Sequence, residues 1–188
     1  TDRREQIENE LNKFQLSYER FEAIPSPGFG IYGCGMSHLS VLKLAKERGY
    51  KNIWILEDDF EFVVSKEDFE NSLKAFFEQN MKYDVCMLAY ILKETGPMDF
   101  NENVGRIAWA HTASSYIVHE NYYDTLIQLY EYSMPLLLAT KAHWLYANDM
   151  VWKKLQIQDT WYYFKKKIGR QRADYSDNSE CFQDYTDQ

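Results

Sequence analysis

Cysteine is scarce in this sequence, with only three among 188 residues, at positions 34, 86 and 181. So few and so widely separated thiols exclude the disulfide framework that holds small secreted domains together. The cysteines form no C-x-x-C pair, and the four histidines show no H-x-x-x-H spacing. The sequence pattern therefore predicts neither a zinc cluster nor a zinc-hydrolase site.

Long apolar runs and net positive charge are also lacking. The longest plain run is residues 136–138 (Leu-Leu-Leu), far short of the ~20 residues that cross a bilayer. The formal charge of −8 argues against a general nucleic-acid binder, which needs a basic surface. No signal-peptide pattern is visible, and together with the few cysteines this favours the cytoplasm over the secretory lumen as an expectation. The oligomeric state is left open.

The composition is that of a folded domain, with 45% hydrophobic and 16% aromatic residues. A chain of this size buries roughly 70% of its surface on folding. Internal repeats and low-complexity linkers are absent from the sequence, so residues 1–188 are predicted to form a single domain.

Hydrophobic periodicity predicts alternating helices and strands. Ile7, Leu11 and Phe14 mark an amphipathic first helix, and a second helix is predicted to begin at Ser37 and end at Gly49. Further segments follow in order: strands at 52–56, 60–64, 84–90 and 115–118, and helices opened by Ser65, over 122–130 and after Asn148. This alternation predicts an α/β domain with a mixed, mainly parallel sheet flanked by helices.

Three carboxylates, Glu57, Asp58 and Asp59, directly follow the predicted strand at 52–56. Adjacent carboxylates repel one another and resist burial, and a divalent cation such as Mn²⁺ or Mg²⁺ would relieve that repulsion. In parallel sheets, ligands bind outside the carboxyl ends of the strands. The alternative is a solvated turn.

A second pattern spans residues 33–38 (Gly-Cys-Gly-Met-Ser-His). Small residues let a backbone approach a ligand closely, and a helix starting at Ser37 would present N–H groups to an anion. A plain turn with a capping serine explains the pattern equally well. Cys34 is interpreted as a small buried thiol.

Two further segments carry charges that could do chemistry. A basic stretch, residues 165–172, precedes an acidic one at 174–177, and these could serve a diphosphate–metal site or form a solvated face. Asp149 follows Asn148 at a helix start, where the dipole stabilises a carboxylate, and a carboxylate held there could also act as a general base.

The ordered set of motifs resembles glycosyltransferase family 25, the group of lipooligosaccharide and collagen galactosyltransferases. The matching segments are residues 1–4 (Thr-Asp-Arg-Arg), 20–24 (Arg-Phe-Glu-Ala-Ile), 33–38, 55–59 (Ile-Leu-Glu-Asp-Asp), 113–118 (Ala-Ser-Ser-Tyr-Ile-Val) and 171–177 (Gln-Arg-Ala-Asp-Tyr-Ser-Asp). Family members normally carry an apolar strand before the Asp-Arg-Arg segment, so we expect that strand to be missing before residue 1.

The resemblance implies a GT-A type fold and an inverting transfer of galactose or glucose from a UDP-sugar, with Mn²⁺ or Mg²⁺ as cofactor. The acceptor would be a hydroxyl of a glycan or of a hydroxylysine-type residue. Asp149 is the expected catalytic base. The expected donor-binding residues are Arg4, Gly33, Ser37, His38, Asp58 and Arg172. The expected metal ligands are Glu57, Asp59 and Asp177.

Two other functions stay open. The chain could be a degenerate, non-catalytic member that binds a sugar or a partner protein, or an acidic metal-dependent phosphohydrolase. Several aromatic residues could stack on sugar faces or simply pack the core: Trp109, Trp144, Tyr146 and Trp152.

Overall fold

The computed structural model describes residues 3–176 and 181–183 and has a mixed α/β architecture. The helices are α1 (Arg3–Lys13), α2 (Gly30–Glu47), α3 (Lys66–Glu78), α4 (Tyr123–Thr140), α5 (His143–Tyr146), α6 (Asn148–Val151) and α7 (Lys153–Gln158). The strands are β1 (Asn52–Leu56), β2 (Phe60–Phe62), β3 (Val85–Thr95), β4 (Val104–His119), β5 (Trp161–Phe164), β6 (Gly169–Gln171), β7 (Asp174–Ser176) and β8 (Cys181–Gln183). A 3₁₀ turn, Glu120–Tyr122, links β4 to α4.

The main sheet has the strand order β1-β4-β3-β5. β4 runs antiparallel to β1, β3 and β5, and β3 with β5 is the one parallel pair among the described strands. The prediction of a mainly parallel sheet is therefore wrong. The reason is that β4 returns directly from β3 through a loop without a crossover helix. Because β1, β3 and β5 still point the same way, their carboxyl ends lie toward the same edge.

Several local predictions are confirmed. The first helix forms and buries Leu11, the apolar run at 52–56 is β1, and the Ser65 hydroxyl caps α3 by accepting from the Asp68 N–H at 3.1 Å. Each depends on a short-range signal, either an apolar periodicity or a capping side chain.

Other boundaries differ from the predictions. α2 begins at Gly30, so Ser37 lies inside the helix, where its hydroxyl donates to the Gly33 carbonyl at 2.7 Å and accepts from the Ile24 N–H at 2.8 Å. α4 continues past Tyr130 through Pro135 to Thr140. β4 is 16 residues long, where a short strand over 115–118 was predicted, because its first half also pairs with β3 and, over residues 104–106, with β5.

The sheet separates two apolar clusters. Val85 and Met87 pack on the side covered by α2 and α4, whereas Cys86 and Leu88 pack on the side of Phe69 and its neighbours. This alternation is the period-two pattern of a central strand buried on both faces. Among the described residues, no helix is long and apolar enough to cross a membrane.

Candidate functional site

A distorted segment of β4 lies beside the end of β1. The Glu57 N–H donates to the Ser114 carbonyl at 2.9 Å. This bond extends the pairing of β1 with β4 by one residue beyond Leu56. On the other side of β4, Ala89 pairs with Ser115 and Ile91 with His111, so β4 bulges in this stretch. Thr112 in the bulge has a φ of 72°, a rare value for a β-branched residue. Bulges and strained residues of this kind cluster at functional sites.

The three carboxylates after β1 point to different surroundings. Asp58 is half exposed and pairs with Arg3 at 3.2 Å. Asp59 is buried, and its Oδ2 accepts from Gln171 Nε2 at 2.9 Å and from Arg3 at 3.4 Å. Its Oδ1 is buried without a hydrogen-bond partner among the described residues. The alternative of a solvated turn thus fits Asp58 but not its two neighbours.

Asp59 is held in an environment that disfavours its negative charge. Burial, and next the charge of Glu57, raise the pKa of Asp59 to about 7, although Gln171 and Arg3 act in the opposite direction. A buried carboxylate oxygen without a partner is costly unless a proton or a cation joins it. Asp59 is therefore the member of the triplet best suited to hold a divalent ion.

Glu57 turns toward helix α2. Its Oε1 lies 3.0 Å from His38 Nε2 and 3.6 Å from Cys34 Sγ, and His38 Nδ1 lies 2.7 Å from the Tyr116 hydroxyl. Burial acts to raise the pKa of Glu57, but His38, the Cys34 hydrogen bond and the charge of Arg3 together outweigh it, so the pKa is lowered overall. Since an ionised Glu57 can only accept, Nε2 donates to it, and Tyr116 donates to Nδ1 when the imidazole is neutral.

Residues 33–38 contact different neighbours because their side chains project from different faces of α2. Gly33 and Ser37 face the preceding loop, and a Cβ on Gly33 would lie 2.6 Å from the Ile24 carbonyl oxygen. Cys34 and His38, one turn apart, face Glu57. The expectation of a helix start at Ser37 that presents N–H groups to an anion is wrong, because Ser37 is an interior residue of α2.

Asp149 lies on the same side of the molecule, in the first turn of α6. Its Oδ2 accepts from the Thr112 N–H at 3.2 Å and lies 4.0 Å from His111 Nδ1. The adjacent Asn148 donates to Cys34 Sγ at 3.6 Å, so Cys34 contacts both the Asp149 segment and Glu57. Burial raises the pKa of Asp149. The structure thus brings the candidate base close to the acidic triplet.

The remaining predicted residues are more scattered. Arg4 pairs with Glu8 on the exposed face of α1, whereas its neighbour Arg3 reaches the triplet. The Arg172 N–H donates to the Asp59 carbonyl at 2.6 Å, while its side chain bonds Gln6 and lies 3.6 Å from Glu61. Asp177 lies outside the described residues.

Three contacts of the site were missed by sequence reasoning: Arg3, Thr112 and Gln171. Arg3 stands in the same Asp-Arg-Arg segment as Arg4, and only the orientation of α1 decides which of the two faces the carboxylates. Thr112 and Gln171 are joined through their side chains at 3.0 Å, although 59 positions separate them. Gln171 opens the segment at 171–177 that resembles the family, but it was assigned no role there, and no local pattern marks Thr112.

The aromatic candidates divide by exposure. Trp152 is fully buried in the core, so it cannot stack on a sugar, whereas Trp109 and Trp144 are exposed. The Trp109 ring lies 5.4 Å from that of His111, near Asp149. Two surface cavities of about 100 and 390 Å³ lie elsewhere, the first lined in part by Tyr83 and the second by Phe100.

Comparison with known protein families gives a match over the middle of the chain. The model of a family described as glycosyltransferase family 25 (LPS biosynthesis protein) matches residues 28–131, more than half of the chain. The matched region contains residues 33–38, the acidic triplet and the β4 bulge, whereas Asp149 and Gln171 lie beyond it. No curated protein matches the chain.

Proposed function

The chain belongs to glycosyltransferase family 25, and from that premise we propose that it moves a hexose, galactose or glucose, from a UDP-sugar to an acceptor hydroxyl. The transfer would invert the anomeric carbon and depend on Mn²⁺ or Mg²⁺, on a domain of the GT-A type. The observation that carries the proposal is Asp59, a buried carboxylate with one oxygen that has no hydrogen-bond partner among the described residues, set just beyond the end of the apolar edge strand β1.

The residues after β1 suit a hard divalent ion. Asp59 and Asp58 offer carboxylate oxygens, which Mn²⁺ and Mg²⁺ prefer as ligands. Glu57 adjoins them, but its Oε1 is already bonded by His38. When bound, the ion would stabilise the negative charge that develops on the leaving diphosphate. Asp59 and Asp58 are therefore the proposed ligands, with Glu57 in support.

Arg3 would position the donor, and the Arg172 backbone holds Asp59 in place. The Arg3 guanidinium spans Asp58 and Asp59, so it offers positive charge where the donor phosphates would approach the carboxylates. The Arg172 N–H fixes the Asp59 backbone from the other side. These contacts orient the triplet before any ligand arrives, which lowers the entropic cost of assembling the site.

Asp149 is the proposed general base. It would accept the proton of the acceptor hydroxyl as that oxygen attacks the anomeric carbon from the face opposite the diphosphate. The N–H of Thr112 fixes its Oδ2, and burial raises its pKa toward the range in which a carboxylate removes protons more effectively. Positive charge on the sugar ring is expected in the transition state, as in glycoside hydrolysis.

A glycan hydroxyl is the acceptor that the observations favour over a hydroxylysine-type residue. The description of the family refers to LPS biosynthesis, which builds glycans. The exposed Trp109 lies beside His111, which approaches Asp149, and an exposed indole face can pack against a sugar ring.

Calorimetry with UDP and Mn²⁺ tests the donor site. The parent should bind UDP in the presence of Mn²⁺, and Asp59→Asn should weaken that binding by about 100-fold because it removes the ionisable ligand. Asp124→Asn, on the exposed face of α4, is the matched control and should bind as the parent does. Equal binding by Asp59→Asn and the parent would show that the site is assigned wrongly.

A panel of nucleotide sugars with glycan acceptors then separates the remaining functions. UDP release that depends on an acceptor supports the transferase. UDP binding without turnover of any sugar points to the non-catalytic alternative. Release of phosphate from simple phosphate esters, without any sugar acceptor, points to the phosphohydrolase.

A further inference from the structure

We propose that Cys34, His38 and Glu57 form a second metal site, which takes a borderline-soft divalent ion such as Zn²⁺. Cys34 Sγ, His38 Nε2 and a Glu57 carboxylate oxygen all lie within 4.8 Å of one another. This site needs neither UDP nor Asp59. It shares Glu57 with the acidic triplet, but its thiol and imidazole ligands differ in chemical type from the carboxylates proposed for Mn²⁺.

Two firmly placed elements bring the three ligands together. Cys34 and His38 are four residues apart on α2, so both side chains project from one face of the helix. Glu57 extends β1 by one residue and is fixed by its backbone hydrogen bond to Ser114. Because the ligands come from a long helix and a paired strand, the cluster exists before an ion enters.

The donor set is typical of zinc. A thiolate, an imidazole and a carboxylate bind Zn²⁺ at about 2.0–2.3 Å, so a small inward movement of the three atoms would close the site. Mn²⁺ and Mg²⁺ prefer oxygen ligands and would be poorly served by sulfur. Binding releases the Cys34 thiol proton to solvent and shifts the His38 imidazole proton from Nε2 to Nδ1.

Two neighbouring groups, Tyr116 and Asn148, support that exchange of protons. Tyr116 Oη lies 2.7 Å from His38 Nδ1, and a hydroxyl can either donate to this nitrogen or accept from it. Such a partner on the second imidazole nitrogen is typical of histidines that bind metals. The Asn148 amide already donates to Cys34 Sγ and would continue to do so to a thiolate. The Glu57 side chain is 26% exposed, which leaves a route for the ion.

Cobalt(II) is the probe, because thiolate ligation to Co²⁺ gives a charge-transfer band in the near ultraviolet. Titration of the reduced full chain should produce this band in the parent, and Zn²⁺ should abolish it by displacement. Cys34→Ser should remove the band, and His38→Gln should weaken Co²⁺ binding at least about tenfold. Cys86→Ser is the matched control, since Cys86 is a buried free thiol in the opposite apolar cluster, and it should keep the band.

Circular dichroism of each variant establishes that it is folded. Absence of the band in the folded parent, or its persistence in folded Cys34→Ser, overturns the proposal. Asp59→Asn should retain the band even though we expect it to lose UDP binding. The two proposals can therefore be refuted independently: the Co²⁺ band tests the second metal site, and UDP binding tests the donor site.

Discussion

Two neighbouring segments of β4 behave differently, although they belong to one strand of one sheet. We call the β4 bulge and the side chains around it the polar edge. It consists of residues 57–59, Thr112, Ser114, Asp149 and Gln171. The apolar centre consists of residues 85–88, 116–118 and Trp161. In the apolar centre the register is regular, with Val85 opposite Val118 and Met87 opposite Tyr116. In the polar edge the register shifts and Thr112 adopts a positive φ.

The comparison of the two regions shows that the energetically unfavourable features lie in the polar edge. The apolar centre buries hydrocarbon on both faces, which stabilises the fold. The polar edge buries the Asp59 carboxylate, leaves its Oδ1 without a partner among the described residues, and strains Thr112. Features of this kind persist only where surrounding structure enforces them, and they are expected at functional sites. Stability and proposed chemistry are therefore separated along one strand, and substitutions can test that separation.

The largest expected effect is on catalysis. Asp149→Asn keeps the size of the side chain but removes the proposed base, so the rate of sugar transfer should fall by about 10²–10⁴-fold. UDP binding should change little, because Asp149 is not a proposed donor ligand. Steady-state kinetics with donor and acceptor, together with calorimetry, measures both quantities. If Asp149→Asn transfers sugar at the parent rate, a residue other than Asp149 is the base.

The second effect is on stability and depends on pH. The pKa of Asp59 is about 7 in the folded protein but about 3.9 in an unfolded chain, so folding favours the protonated carboxyl. This contribution to stability is complete below pH 4 and is lost as the pH rises through 7. With metal removed by chelation, the free energy of unfolding of the parent relative to Asp59→Asn should fall by about 2 kcal/mol between pH 5 and 8.

Urea denaturation at the two pH values makes this measurement. Leu88→Ala is the control from the apolar centre, where Leu88 is fully buried. It should cost about 2–5 kcal/mol at both pH values, because a cavity does not titrate. A constant difference between the parent and Asp59→Asn across this range would contradict the raised pKa.

The smallest effect concerns the strain at Thr112. Thr112→Gly and Thr112→Ala both lose the hydroxyl that bonds Gln171, but only glycine adopts a φ of 72° without steric cost. The glycine variant should therefore be more stable than the alanine variant by about 1 kcal/mol. Equal urea midpoints for the two variants would show that the positive φ carries no strain.

Elements marked by nearby residues could be predicted from the sequence. The apolar run before Glu57 predicted β1, and Ser65 with Asp68 predicted the start of α3. The parallel sheet was predicted wrongly, because strand order depends on how β4 returns beside β3, which no local pattern encodes. The start of α2 was misplaced because Ser37, a frequent capping residue, bonds to Ile24 and Gly33 instead.

The candidate site was predictable only in part. The acidic triplet stood out because three carboxylates follow an apolar strand. Asp149 lies near the triplet through Asn148, which contacts the same Cys34 as Glu57, and its role as base stays a prediction. The cluster of Cys34, His38 and Glu57 escaped prediction, because the search for C-x-x-C and H-x-x-x-H spacings does not detect a cysteine four residues before a histidine on one helix.

The sequence alone determined the family, most of the helices and the acidic triplet, because these depend on the order and spacing of nearby residues. Tertiary structure decided that Asp59 is buried while Asp58 is exposed, that Arg3 rather than Arg4 reaches them, and that Glu57 faces α2. The physical reason is that desolvation and hydrogen bonding act between atoms close in space, and in this fold those atoms come from segments far apart in the chain.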